Sequence, residues 1–173
     1  MDDKLVVKTA VKVSTVSIVL NIVLSMLKLL AGIFGKSMAM LSDAIHSLSD
    51  VFGSIIVIIG VKVSKKKEDA DHPFGHDRLE CLASLALGAI LFFTGAMLAY
   101  EGIDKIYTKA PISTPGKIAL FAAIVSIIAK EGMFWYTKIN ANRINSDALR
   151  AEAWHHRSDA LSSVGSLIGV AGA

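Results

Sequence analysis

Apolar residues in this chain are gathered into long blocks, whereas a soluble core would interrupt them with polar positions every few residues. A bilayer has a hydrocarbon core of about 30 Å, which a helix crosses with about 20 apolar residues at about 1.5 Å each. Several blocks reach that length, and 53% of the 173 residues are hydrophobic, which is high for a soluble domain of this size. The pattern predicts an all-α fold, a polytopic transmembrane helix bundle, in preference to a soluble helical bundle.

The blocks predict five membrane spans in a single transmembrane domain that covers residues 1–173. Ser146, followed by the acidic Asp147, is a plausible N-cap for the last span. No secretory signal pattern precedes the first block. The expected spans are approximately 11–34, 38–63, 79–107, 117–139 and 146–173.

Lysine and arginine residues flank the spans unequally, and this bias predicts the orientation. Cations are concentrated before the first span, between the second and third, and between the fourth and fifth. The N-terminus is therefore expected to be cytoplasmic. These flanking residues also account for the net charge of +3, so nucleic acid is not expected as a partner. The single cysteine, Cys81, excludes an internal disulfide and a cysteine zinc cluster, which leaves His and carboxylates for any metal chemistry.

Ionisable residues inside the spans are the most informative feature, because a charge within a bilayer is costly and usually functional. The second span contains Asp43, His46 and Asp50, which follow one another at intervals of one helical turn. The fifth span contains His155 and Asp159 at the same spacing of four residues. A single His–Asp pair on a buried helix is often only a hydrogen bond, but two pairs at matching depth favour a shared site.

Two helices that each offer an imidazole and a carboxylate provide the four nitrogen and oxygen ligands that Zn²⁺ accepts in a tetrahedron. Counting from opposite membrane faces, both pairs lie about 12–20 Å deep, near the middle of the bilayer. The sequence therefore predicts one metal site formed by His46, Asp50, His155 and Asp159.

Other ionisable residues in the spans receive different expectations. Asp43 is expected either to support the site from behind or to pair helices. Lys28 is expected to extend its ammonium to the membrane interface. Lys130 and Glu131 are expected to neutralise charges elsewhere in the bundle. His156 points about 100° away from His155 around the helix and is left out of the site.

A second group of metal-type residues lies in the connection between the second and third spans. Asp69, His72 and His76 are its ligand candidates, and Pro73 and Gly75 make the loop tight enough to bring the imidazoles together. A solvated charged loop is an equally good interpretation of these residues alone.

Three segments together resemble the cation diffusion facilitator family: Asp43-Ala-Ile-His46-Ser-Leu-Ser-Asp50, His72-Pro-Phe-Gly-His76, and His155-His-Arg-Ser-Asp159. The resemblance covers essentially the whole chain. It implies a homodimeric metal/proton antiporter with six membrane helices and a cytoplasmic ferredoxin-like domain. It also implies that His46, Asp50, His155 and Asp159 form the transport site, and that Asp69, His72 and His76 form a second site. On this basis the chain is expected to be a fragment without the sixth helix and the cytoplasmic domain.

The expected function is efflux of a divalent metal ion coupled to protons, and not an enzymatic reaction. Metal and protons would compete for the same ligands, since binding needs neutral imidazoles and ionised carboxylates. Zn²⁺ is the first candidate, because a histidine on both helices resembles the zinc-preferring pattern of the family; Fe²⁺, Mn²⁺, Cd²⁺ and Co²⁺ remain alternatives. A membrane metalloenzyme is disfavoured by the absence of an H-E-x-x-H motif. A non-transporting metal sensor or assembly protein remains open. The expected location is the plasma membrane.

Overall fold

A computed structural model describes residues 3–35, 38–68, 72–73, 75–107 and 117–171. Long α-helices account for nearly all of these residues. Two of them extend beyond the predicted spans, since the first begins well before residue 11 and the fourth continues past residue 139. The helices are α1 (Asp3–Phe34), α2 (Met38–Ser64), α3 (Arg78–Tyr107), α4 (Lys117–Ile144) and α5 (Asp147–Ala171).

Four of the helices form a closed ring, in which α1 packs on α2, α2 on α5, α5 on α4, and α4 back on α1. The remaining helix, α3, lies outside the ring against α2 and α5. A buried apolar cluster that includes Val13, Val57 and Leu149 joins α1, α2 and α5. The ring places α2 and α5 side by side, which the two predicted His–Asp pairs require.

Polar side chains lie inside the bundle and large apolar side chains lie outside, which is the arrangement expected when lipid is the solvent. Ser17, Asn21 and Ser47 are almost fully buried. By contrast, Met26 and Phe52 expose 61% and 67% of their surface. The all-α membrane bundle predicted from the sequence is therefore confirmed.

Four segments of the described helices are long and apolar enough to cross a membrane: Asp3–Phe34, Asp43–Ser64, Arg78–Met97 and Leu120–Ile144. The described side chains of α5, at 147–164, do not reach that standard, because five charged residues fall among them. The helix itself is 25 residues long, which at about 1.5 Å per residue exceeds the thickness of a bilayer core. The crossing by α5 stays a prediction.

A tight corner joins α4 to α5 and fixes their relative register. Asn145 adopts a left-handed backbone conformation, with φ at 52°, and the Ser146 amide donates to the Ala141 carbonyl at 3.0 Å. This is the Schellman geometry that commonly ends a helix. The Ser146 hydroxyl then accepts from the Leu149 amide at 3.3 Å, so the predicted N-cap is confirmed.

Candidate metal site

The two predicted His–Asp pairs meet between α2 and α5. His155 Nε2 lies 3.1 Å from Asp50 Oδ1 and 3.8 Å from Asp159 Oδ2. His46 Nε2 lies 3.7 Å from Asp159 Oδ1. Each helix therefore contacts the other through an imidazole and a carboxylate, as the spacing predicted.

The donor atoms form a compact group, at separations somewhat larger than those between the ligands of one bound ion. In a tetrahedral zinc site with bonds of about 2.0–2.1 Å, neighbouring ligand atoms lie roughly 3.3 Å apart. His46, Asp50 and Asp159 offer one ligand atom each within 4.8 Å of one another, and the His155 nitrogen borders the same group. Three of the four predicted ligands are thus grouped closely enough to share a cation, and His155 adjoins them, so the residues fit a cation of this kind.

The site is enclosed on one side and more open on the other. Asp50 and His155 are buried, and the Asp159 side chain exposes 10% of its surface. The His46 side chain is 36% exposed, which makes it the most accessible of the four predicted ligands. An ion bound here would be held mainly by protein atoms, with His46 as its most exposed ligand.

A lysine from α4 reaches into the same cluster. The Lys130 ammonium donates to Asp50 Oδ2 at 2.5 Å and to Asp159 Oδ2 at 2.8 Å, and the residue is only 2% exposed. The expectation that Lys130 neutralises charges elsewhere in the bundle is therefore confirmed, since Asp50 belongs to α2 and Asp159 to α5. A lone cation in an apolar span needs an anionic partner, but the span pattern alone does not identify that partner. Glu131 accepts from Trp135 on its own helix and lies 4.0 Å from the Arg157 guanidinium of α5, so it also pairs with a charge on another helix.

Asp43, the remaining acidic residue of α2, pairs with α1. The Lys28 ammonium lies 2.9 Å from Asp43 Oδ2 and donates to the Ser47 hydroxyl at 2.7 Å. The expected extension of Lys28 to the interface is wrong, because the residue is 2% exposed. Of the two roles expected for Asp43, helix pairing describes its observed contact.

One turn before His155, α5 carries a buried carboxylate that sequence reasoning did not single out. Glu152 is 1% exposed and accepts from the Ser14 hydroxyl of α1 at 2.8 Å and from the Ser54 hydroxyl of α2 at 2.5 Å. His156 is also buried, with Nε2 3.2 Å from the Ser17 hydroxyl, and so faces α1 and not the metal cluster. The sequence feature that could have indicated this network is the presence of serines within the apolar spans of α1 and α2, among them Ser14 and Ser54.

The loop candidates are partly described. The His72 and His76 rings lie with their centroids 4.5 Å apart, and Gly75 between them adopts φ of 77°, which suits glycine. The tight loop thus brings the two imidazoles together as predicted. Asp69, the third candidate, lies outside the described residues. A metal site at this loop stays a prediction.

Fold and site together define a class: a helical membrane protein with a cation-type ligand cluster enclosed by its helices. The family comparison agrees. The model of the cation efflux transmembrane domain matches residues 14–173. The chain belongs to this family of cation efflux transporters, also called cation diffusion facilitators, as its three motifs predicted.

Several relatives match most of this chain. An uncharacterized transporter of Methanocaldococcus jannaschii is 46% identical over 89% of the chain and 54% of its own length. Magnetosome protein MamB of Magnetospira sp. is 42% identical over 82% of the chain and 48% of its own length. Manganese efflux system protein MneP of Bacillus subtilis is 36% identical over 92% of the chain and 53% of its own length. The chain thus spans about half the length of these relatives.

Proposed function

We propose that this chain is the transmembrane part of a divalent metal efflux transporter, in which His46, Asp50, His155 and Asp159 bind the transported ion. The observation that carries the proposal is the meeting of two His–Asp pairs from α2 and α5, with imidazole–carboxylate distances of 3.1 and 3.7 Å between the helices. The pairs are separated by more than 100 residues of sequence, so their convergence is a property of the fold. Membership in the cation efflux family supports the transport role.

Transport is proposed to proceed by exchange for protons. Metal needs neutral imidazoles and ionised carboxylates, so the ion and protons compete for the same four side chains. A site within the membrane that opens alternately to each side would release metal where protons are abundant. The proposed assembly is a homodimer in the plasma membrane with a cytoplasmic N-terminus, and the loop of Asp69, His72 and His76 is proposed as a second metal site.

Zn²⁺ is the first proposed substrate, because two imidazoles and two carboxylates in a compact cluster match its tetrahedral preference. Mn²⁺ is the second candidate, since the Bacillus subtilis relative is named for manganese efflux. Mn²⁺ favours oxygen ligands more than Zn²⁺ does. Replacing a histidine by an aspartate should therefore shift the preference towards Mn²⁺.

The experiment is metal flux in liposomes that contain the full-length protein, with an imposed pH gradient. Zn²⁺ and Mn²⁺ are supplied separately, and liposomes with the Asp159→Asn variant serve as the inactive control. The proposal predicts flux that follows the gradient and is lost in the variant. Metal binding without flux would refute transport, and flux indifferent to the gradient would refute proton coupling.

A further inference from the structure

The carboxylates of the proposed metal site already hold a cation that belongs to the chain. Lys130 Nζ lies 2.5 Å from Asp50 Oδ2 and 2.8 Å from Asp159 Oδ2, and so joins α2, α4 and α5 at one point. These oxygens belong to the two carboxylates that a divalent ion would need. The ammonium therefore stands at the edge of the position where the ion would bind.

The Lys130 ammonium and a divalent ion compete for the same two carboxylates, so the presence of one weakens the binding of the other. Metal–oxygen bonds to carboxylates are about 2.0–2.2 Å long, so a bound ion would lie within a few ångströms of Nζ. Like charges at that separation repel strongly in a buried, weakly screened environment. Lys130 is 2% exposed, so little water separates it from the site.

The same contact has a clear use when no metal is present. Two buried carboxylates from neighbouring helices would otherwise have only neutral imidazoles as partners, so their negative charges would be uncompensated. The ammonium supplies one positive charge and hydrogen-bonds to both. The four-carbon side chain of lysine also allows Nζ to leave by bond rotations, without movement of the α4 backbone.

We propose that Lys130 is a displaceable occupant of the metal site: its ammonium bridges Asp50 and Asp159 in the metal-free state, leaves them when a metal ion binds, and returns on release. This inference rests on the proposed function and adds to it a residue that competes with the substrate. Lys130 thereby lowers the affinity of the site and favours release of the ion.

The test compares metal affinity in the purified full-length protein in nanodiscs, with Zn²⁺ and Mn²⁺ as probes. Lys130→Met keeps an unbranched side chain, one atom shorter than that of lysine, but removes its charge. We expect it to tighten binding by about tenfold or more, because a buried like charge is removed from beside the ion. Lys138→Met is the matched control on the same helix, and it should leave the affinity unchanged. The Lys138 ammonium lies over aromatic rings, 5.0 Å from the Phe134 centroid, and not at the site.

Unchanged or weaker binding by folded Lys130→Met would overturn the proposal. Asp50→Asn separates this failure from failure of the proposed function. If Asp50→Asn abolishes binding but Lys130→Met does not tighten it, the lysine inference alone is wrong. If Asp50→Asn leaves binding intact, the metal site itself is wrong and the inference falls with it.

A second measurement does not depend on the folding of any variant. A metal-loaded structure of the unsubstituted protein should place Lys130 Nζ beyond hydrogen-bond distance of at least one of the two aspartates. An ammonium that still donates to both Asp50 and Asp159 beside the bound ion would overturn the proposal.

Discussion

Asp50→Asn should separate metal binding from folding. Asp50 is 4% exposed and interacts with the Lys130 ammonium and the His155 imidazole. Asparagine has nearly the same shape, and its carbonyl oxygen can still accept from the ammonium. The bond from the Lys130 ammonium stays charge-assisted, whereas the contact with His155 falls from a charge-assisted hydrogen bond of about 1.5–3 kcal/mol to a neutral one of about 0.5–1.5 kcal/mol. Lys130 also keeps Asp159, so the free energy of unfolding should fall by only about 1–2 kcal/mol.

The effect of the same substitution on metal affinity should be larger. With neutral imidazoles, the two carboxylates and one ammonium give the empty cluster a formal charge of −1, and Asp50→Asn makes it zero. Two unit charges at about 4 Å interact by about 4 kcal/mol at an effective dielectric constant of 20, so one charge and a divalent ion interact by about 8 kcal/mol. If water and the amide oxygen recover two thirds of this, the remaining loss still weakens binding by about 100-fold.

The assay is Zn²⁺ titration of the purified full-length protein, with thermal unfolding measured on the same samples. Ser49→Ala is the matched control, because Ser49 is exposed on α2 and its hydroxyl donates to the Ile45 carbonyl. The control should bind Zn²⁺ normally. Binding by Asp50→Asn within about threefold of the unsubstituted protein would refute the reasoning, since it would show that this charge does not face the ion.

Three further predictions concern stability, each measured by unfolding of the purified protein in detergent. Glu152→Ala should lower the unfolding free energy by about 3 kcal/mol or more, because two buried serine hydroxyls lose their acceptor; no change would contradict the buried network. Asp43→Ala should destabilise more than Lys28→Met, because it leaves a buried ammonium with only the Ser47 hydroxyl as partner, whereas the Asp43 carboxylate is partly exposed; the reverse order would show that the hydroxyl is sufficient to stabilise the ammonium. Asn145→Ala should cost about 1 kcal/mol and Asn145→Gly less, because φ is 52°; equal effects would contradict a left-handed residue at the corner.

The helices and the meeting of the two His–Asp pairs could be predicted from the sequence for a physical reason. Apolar length reports membrane-type helices directly, and a spacing of four residues places two side chains on one face. The position of a residue along a membrane span also gives its depth in the bilayer, which is information that the sequence of a soluble protein does not provide. His46 of α2 and Asp159 of α5 could therefore be placed at the same level without knowledge of the fold.

The partners of the single lysines could not be predicted in the same way. Lys28 and Lys130 each sit in an apolar block, and the pattern indicates only that each needs compensation. Which carboxylate provides it depends on the rotation of α1 and α4 about their axes. That rotation is set by packing of the helices in the ring, so the Lys130–Asp50 contact is visible only in the structure.

Zn²⁺ binding to the purified full-length protein beside His46→Ala and Asp159→Ala tests most directly whether α2 and α5 share one ion. The account predicts that either substitution alone removes the same high-affinity site, and that combining them adds little. If each variant, with its fold intact, still binds Zn²⁺ at that site as tightly as the unsubstituted protein, the central claim is contradicted.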